Sequence, residues 1–339
     1  MYVPPFKITE KILNLVAEIS ERIGVLNANV GESVPSPMLR KKNQIKTIHS
    51  SLAIENNSLS LKQVTDIVDG KHVLGAPDEI QEVKNAIEAY HLMSQLDAFC
   101  EKDLLKAHQL MMKDLVRQSG NYRQDGVGVF DGNGNCLHMA PPAARVPNLM
   151  ADLFHWVKTC KVHPLVYSCV FHYEFEFIHP FIDGNGRMGR YWQTVLLSRW
   201  KGIFAWLPVE TIVKEHQQEY YNVIARCDAM GESTLFIEFM LGCLLDAMEN
   251  YEDVSGTEVQ DKVQDKVQDK LRCKFPEVSQ TAWNVLAIIQ RNPQSTVNEI
   301  CGQLDLKERQ VYKHISLLKS LGLIVRVGSN KTGYWKVTI

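Results

Sequence analysis

The stretch His179-Pro180-Phe181-Ile182-Asp183-Gly184-Asn185-Gly186-Arg187-Met188-Gly189-Arg190 gathers an imidazole, a carboxylate, a glycine-flanked amide and two guanidiniums within a few turns of backbone. A residue that precedes proline is pushed out of the helical region, so a helix arriving from upstream must stop at His179. Gly184-Asn185-Gly186 reads as a tight turn, after which the apolar pattern resumes as a helix through Tyr191-Trp192-Gln193-Thr194-Val195-Leu196-Leu197. A turn that feeds a helix N-terminus leaves unpaired backbone N–H groups and a positive dipole end, which together favour a phosphate. Arg187 and Arg190, three apart, fall on one face of the first turn. Cations are disfavoured there unless something anionic is bound. The segment therefore reads as a phosphate site with a base and a metal ligand beside it.

The chain carries its own control for the blander reading, in which an Asp-Gly-Asn-Gly run is a hairpin turn. Asp131-Gly132-Asn133-Gly134-Asn135 has nearly the same letters, but no histidine four residues before the aspartate and no arginines after it. That copy reads as a β-hairpin tip between Val127-Gly128-Val129-Phe130 and Cys136-Leu137-His138-Met139. Pro141-Pro142 then ends the ribbon, and Val146-Pro147 opens a helix.

Residues 179–190 resemble the signature of the Fic family, H-x-F-x-(D/E)-G-N-G-R-x-x-R, with every specified position matched. The resemblance extends to the flanking helices and the hairpin, over roughly 200 residues ending near Glu249. It implies a mainly α fold, a helical bundle with a β-hairpin flap, and transfer of AMP from ATP to a Ser, Thr or Tyr hydroxyl of a target protein, itself included. In that scheme His179 is the base, since a hydroxyl is a poor nucleophile near neutral pH. Asp183 holds Mg²⁺, which prefers carboxylate and phosphate oxygens. Backbone N–H groups of Gly184, Asn185 and Gly186, with the Asn185 amide, bind the α-phosphate. Arg187 and Arg190 take the outer phosphates through charge-assisted bonds. Phe181 packs in the core. Tyr220 and Tyr221 lie where some Fic proteins set a residue against the base or ribose.

Ser51-Leu52-Ala53-Ile54-Glu55-Asn56 resembles the family's inhibitory motif, (S/T)-x-x-x-E-(G/N). The resemblance implies that Glu55 pairs with Arg190 in the place of the γ-phosphate, because a carboxylate and a phosphate compete for one guanidinium. The hairpin residues Val127, Val129, Leu137 and Met139 are then a flap that docks an extended target segment by strand addition; a purely structural hairpin is the other reading.

Composition frames these readings. The chain has 339 residues, 45% hydrophobic and 22% charged, which suits two or three soluble units. No stretch approaches the ~20 apolar residues of a membrane span, and no signal peptide is evident at Met1-Tyr2-Val3-Pro4. The eight cysteines form no C-x-x-C pair, so neither zinc nor a disulfide framework is indicated and a reducing cytoplasm is expected. Helical periodicity dominates 9–250: Thr9 caps a first helix, Asp78-Glu79-Ile80 opens another through Leu92, Leu165–Ile178 is apolar nearly all round, and further helices fall near 213–227 and 235–248.

At 259–270 the unit Val-Gln-Asp-Lys occurs three times in tandem, a charged linker with helical i,i+3 ion pairs and a period that drifts from 3.6. Beyond it, helices over 279–290, 296 onward and 307–321, then two strands over 323–327 and 333–337, resemble a winged helix-turn-helix. The resulting plan is an N-terminal helical region 1–95, a catalytic core 96–250, a linker 251–278 and a winged helix 279–339. Residues 271–339 hold ten Lys/Arg against four Asp/Glu, while the rest of the chain holds 27 against 35. That asymmetry favours an anionic partner for the tail. Lys307, Arg309, Lys313 and Lys331 suit phosphates, and Gln310, Tyr312 or His314 suit bases; winged helices also dock proteins, so DNA or another protein is expected.

Two function classes follow. One is a protein adenylyltransferase using ATP and Mg²⁺, cytoplasmic, with a homodimer left open and no membrane partner. The other is a DNA-binding regulator whose Fic part senses nucleotide, or a Fic enzyme with another activity: another nucleotide, phosphate transfer or AMP removal.

Overall fold

The computed structural model describes residues 2–30, 37–130, 136–250, 275, 278–304, 306–327 and 334–338. The hairpin tip 131–135, the Val-Gln-Asp-Lys repeats and Lys331 lie outside the described residues. The chain divides into two compact units, residues 1–253 and 254–339.

The first unit is helical apart from one ribbon. In chain order it contains α1 (Glu10–Val30), α2 (Pro37–Ile54), α3 (Leu61–Val68), α4 (Pro77–Leu92) and α5 (Glu101–Met111), then β1 (Gly128–Phe130) and β2 (Cys136–Met139). There follow α6 (Val146–Thr159), α7 (Pro164–Ile178), α8 (Asn185–Trp200), α9 (Val209–Glu215), α10 (Gln217–Met230) and α11 (residues 234–250). Local chemistry sets the ends. Thr9 Oγ1 accepts the Ile12 N–H at 3.2 Å and caps α1, and Ser60 with Gln63 forms a capping box on α3. Pro77, Pro147 and Pro164 sit in first turns, where a missing N–H costs nothing.

The core is built around α7 and α8, which pack extensively on each other. Every residue of α7 from Leu165 to Phe175 is buried, and α8 is buried from Arg187 to Leu197. Fully burying one large apolar side chain contributes ~1.5–3 kcal/mol, so this pair is the rigid frame of the unit. Phe181, fully buried, lies flat on His108 with ring centroids 3.6 Å apart and fixes the loop between the two helices.

Two expectations need correction. The single helix expected over 213–227 is two, α9 and α10, because His216 at φ −106°, ψ 28° leaves the helical well between them. In the flap, Val127 precedes β1 rather than lying in it, although its carbonyl still accepts the Ala140 N–H at 3.3 Å. Gly128 pairs with Met139 and Val129 with His138, and a register shift follows between Val129 and Phe130. An irregularity of that kind bends a strand and interrupts simple alternation.

The second unit contains α12 (Gln280–Arg291), α13 (Val297–Leu304), α14 (Glu308–Ser320) and the antiparallel pair β3 (Ile324–Val327) and β4 (Tyr334–Val337). Ser279 caps α12, and Thr296 with Glu299 makes the capping box that opens α13. Its own core includes Ala282, Val285, Ile300, Val311, Leu318 and Ile324. This is a winged helix-turn-helix, with α14 in the recognition position.

Candidate active site

Helix α7 ends at Ile178 because His179 takes up a left-handed conformation, φ 49°, ahead of Pro180. Its N–H still bonds to Phe175 O at 2.9 Å, so the turn closes the helix and swings the imidazole away from the axis. His179 Nδ1 lies 3.3 Å from Glu176 O. A carbonyl only accepts, so Nδ1 donates in that contact, and in the neutral ring Nε2 is the nitrogen that can take a proton.

The 180–184 loop is held from three sides. The Asn185 amide is 2% exposed and grips Phe181, accepting its N–H and donating to its carbonyl, both at 2.9 Å. This adds a structural role to the residue that the sequence assigned to phosphate. The Asn185 acceptor and one of its two donors clamp the loop, so anion-binding capacity rests on backbone N–H groups. Asp183 O lies 3.1 Å from His108 Nε2, while His108 Nδ1 accepts the Gly120 N–H at 2.8 Å. Burial pushes the His108 pKa down to about 4, so the ring is neutral and its tautomer is fixed by those two partners. Gly184, at φ 81°, also has Met112 Sδ only 2.6 Å from where a Cβ would stand, so a side chain is doubly excluded.

The third support is Arg123, which the sequence reading missed. It is 3% exposed; its Nε donates to His179 O at 2.7 Å, and its Nη groups donate to the carbonyls of Asp125, Pro141 and Ile178. One guanidinium thus satisfies the last carbonyls of α7 and ties His179 to the foot of the hairpin. Its sequence neighbourhood, Asn121-Tyr122-Arg123-Gln124, gives no motif to find it by.

Helix α8 begins at Asn185, so the N–H groups of Asn185, Gly186 and Arg187 have no carbonyl one turn back to bond. Arg187 stands in that first turn and Arg190 one turn further on. Arg190 is 3% exposed and its Nη2 donates to Glu55 Oε1 at 2.7 Å and to Ser51 O at 3.0 Å, with Nε on Ser51 Oγ at 3.2 Å. Burial works to lower the arginine's pKa, yet Glu55 beside it holds it above its ordinary value. A Cβ on Gly186 would collide with Glu55 Oε1 and come within 3.1 Å of Arg190 Nη1, so the carboxylate rests against the backbone of the helix N-terminus.

The position of Glu55 follows from how α2 ends. Asn57 N–H bonds to Leu52 O at 3.1 Å and Asn56 N–H to Ala53 O at 3.2 Å, with Asn56 at φ 69°. Those bonds are a Schellman turn with Asn56 as the left-handed residue, which explains glycine or asparagine after the glutamate.

Glu55, Glu176, His179, Gly186, Arg190, Tyr220, Tyr221, Ile224, Ala225 and Asp228 line a cavity of about 200 Å³. Tyr220 is buried and its hydroxyl meets His172 Nε2 at 3.1 Å; Tyr221 is 41% exposed at the mouth. Burial works to raise the Glu176 pKa, but His172, 3.7 Å away, together with nearby His179 and Arg190, holds it below the usual glutamate value. Arg187 lies outside this lining. Its Nη1 donates to Glu82 Oε1 at 2.8 Å and its Nη2 to Asp183 Oδ1 at 3.3 Å. Asp183 itself is 58% exposed along its side chain. In the flap, Met139 is 66% exposed.

In the second unit Lys307, Arg309, Gln310, Tyr312 and Lys313 are exposed on or just before α14, and Gln310 Oε1 accepts the Lys307 N–H at 3.0 Å.

Known proteins supply the context. Residues 95–197 match the Fic/DOC family and residues 279–325 the winged helix-turn-helix DNA-binding family. Proteins named protein adenylyltransferase Fic from Culex quinquefasciatus and Aedes aegypti are 29% and 28% identical over 226 residues, 62% of this chain. The matched region spans 42% of the length of each. A Fic family protein from Desulfovibrio desulfuricans G20 is 44% identical, with 99% of this chain and 98% of that one covered and a TM-score of 0.72. A Fic domain containing signaling protein from Bacteroides thetaiotaomicron, 18% identical with a TM-score of 0.58 over 71% of this chain and 94% of that one, shares the fold. With the signature loop set between two buried helices and a full-length likeness of that degree, the chain belongs to the Fic family, and it joins a Fic domain to a C-terminal winged helix.

Proposed function

We propose that the protein is an adenylyltransferase that moves AMP from ATP to a hydroxyl of a target protein, and that Glu55 restrains it. The observation that carries this reading is the Glu55–Arg190 pair, 2.7 Å long, inside the cavity that His179 also lines. ATP would set its phosphates at the N–H groups opening α8, where the helix dipole and the Arg190 guanidinium favour negative charge. The target hydroxyl gives its proton to His179 Nε2 as its oxygen attacks the α-phosphorus. The bond from that phosphorus to the bridging oxygen of the β-phosphate breaks, and pyrophosphate leaves with the electron pair. His179, held through Nδ1 on Glu176 O and through its own carbonyl on Arg123, is fixed in the tautomer that accepts the proton.

A divalent ion fits the loop. Asp183 offers an exposed carboxylate next to the phosphate cradle, and Mg²⁺ takes few protein ligands, completing its shell with phosphate oxygens and water. Such an ion supplies charge neutralisation on the phosphates. Among the described residues no cluster of three or more His, Cys, Asp or Glu suits a metal. Arg187 shares Asp183 with that position and reaches outer phosphates only by leaving Glu82. The flap around Met139 would dock the target by strand addition. No helix among the described residues is long and apolar enough to cross a membrane, and a cytoplasmic location suits ATP as substrate. Phosphate transfer is told apart from AMP transfer by which label moves.

The test uses ATP labelled at the α- or γ-position with wild type, Glu55→Gly and Glu55→Gly/His179→Ala. Label from the α-position, rising in Glu55→Gly and absent from the double variant, is the expected result. No label in any variant sinks the enzyme reading; γ-label instead makes the reaction phosphate transfer. A second role rests on the exposed cations of α14: the winged helix binds DNA and sets where the enzyme acts.

A further inference from the structure

A partly buried series of polar contacts runs from the end of α2 to the first turn of α8, and Glu55 is not part of it. Asn57 follows the Schellman turn and is 8% exposed. Its side chain is fully used: Oδ1 accepts the Leu59 N–H at 3.1 Å, and Nδ2 donates to Glu79 O at 3.2 Å and to Glu82 Oε2 at 2.8 Å. The other oxygen of Glu82 receives Arg187 Nη1 at 2.8 Å. Next to Asn57, the Ser58 N–H and hydroxyl both donate to the Glu79 carboxylate, at 2.6 and 3.0 Å. Glu82 therefore joins the end of the inhibitory helix to α8, one oxygen on each side.

Geometry alone gives this series a task. The Glu55 carboxylate is 31% exposed along its side chain and makes one ion pair. A single, partly solvated pair on a flexible side chain contributes little against a triphosphate that carries several charges. The pair competes well only if the backbone at Glu55 is held in place beforehand, so that the carboxylate acts at high effective concentration. We propose that Asn57 and Glu82 are positioning residues for the restraint, holding the end of α2 on α4 and α8 so that Glu55 stays on Arg190. This rests on the reading of Glu55 given above. Neither side chain lines the cavity; Asn57 acts through Glu55, and Glu82 acts through Glu55 and also through its bond to Arg187.

The experiment measures ATP affinity by calorimetry for wild type, Glu82→Gln and Asn57→Ala, each alone and combined with Glu55→Gly, together with hydrogen exchange over residues 52–60. With Glu55 present, each substitution is expected to tighten ATP binding roughly three- to tenfold, the scale of losing one or two hydrogen bonds from the restrained state. In the Glu55→Gly background Asn57→Ala should add nothing, whereas Glu82→Gln also frees Arg187 for the phosphates and is read there by exchange alone; exchange over 52–60 should quicken for both while the thermal midpoint stays that of a folded protein. A merely structural role would weaken ATP binding in both backgrounds, and that result overturns the proposal. Unchanged affinity and unchanged exchange overturn it as well. If Glu55→Gly itself leaves ATP affinity unaltered, the restraint reading has failed; exchange over 52–60 still decides whether Asn57 and Glu82 hold the helix end.

Discussion

Arg123, Arg187 and Arg190 of the first unit are 3–4% exposed, and each is held by carbonyls or carboxylates, whereas Lys307, Arg309 and Lys313 of the second stand exposed at α14. The same charge does different work in the two places. A guanidinium taken out of water must be met by partners, so Arg123 sets the backbone of His179 and Arg190 gathers Ser51 and Glu55 around it. An exposed cation has no such obligation and remains available to an anion from outside. Buried cations assemble the loops and helix ends around the cavity; exposed ones wait for a partner.

The sharpest way to break this comparison is Arg123→Ala. It strands the carbonyls of Ile178 and His179 and opens a void, and loss of ~3–5 kcal/mol is expected in urea denaturation. Arg123→Lys keeps the charge but not the fork of donors. It should still lower the transfer rate of a Glu55→Gly protein, because the base is set less firmly. A loss below about 1 kcal/mol for Arg123→Ala would mean that Pro180 and Phe181 hold the loop without it.

Legibility follows the same division. The signature loop could be read from letters because its chemistry is local: a proline that ends one helix, glycines that open the next, arginines three apart. The winged helix could be read because its caps, Ser279 and Thr296, stand beside the apolar runs they start. Arg123, His108 and Glu82 could not, because each acts on residues 56, 75 and 105 positions away. The clamp that the Asn185 amide makes on Phe181 was not legible for a related reason. An amide in a phosphate loop looks like a ligand until the backbone it grips is seen. Arg187 likewise reads as a phosphate ligand in sequence, and only the fold shows that Glu82 and Asp183 already hold it.

A buried acid sharpens the comparison. Glu210 is 2% exposed, with Tyr90 Oη donating to Oε1 at 3.1 Å, and burial raises its pKa from 4.5 to about 7. A carboxyl with a raised folded pKa binds more protons folded than unfolded between those two values, so its contribution to stability falls as pH rises through that window. Glu210→Gln removes the penalty. The variant should match wild type near pH 4.5 and exceed it by ~3 kcal/mol above pH 7, on the conversion of 1.36 kcal/mol per pKa unit. Denaturation midpoints for both proteins at pH 4.5 and pH 8 give the difference directly. An equal gap at both pH values would show that the acid is not neutral in the fold.

The smallest stability effect and the clearest binding effect belong to α14. Arg309→Ala and Lys313→Ala leave no buried group unpaired, so each should change stability by no more than ~0.5 kcal/mol. If the helix meets DNA, each substitution should weaken binding of a duplex about evenly across sequences. Each should also reduce by about 1 the slope of log affinity against log salt, as removal of one phosphate contact requires. A titration at several salt concentrations, with Glu55→Gly as a control for the other unit, reads both quantities. Binding that is weak and unaltered by either substitution would make the tail a protein-docking module, and exposed cations would then mark a surface without assigning it to nucleic acid. The buried arginines would keep their account in either case, because their partners lie within the fold and do not depend on what the tail binds.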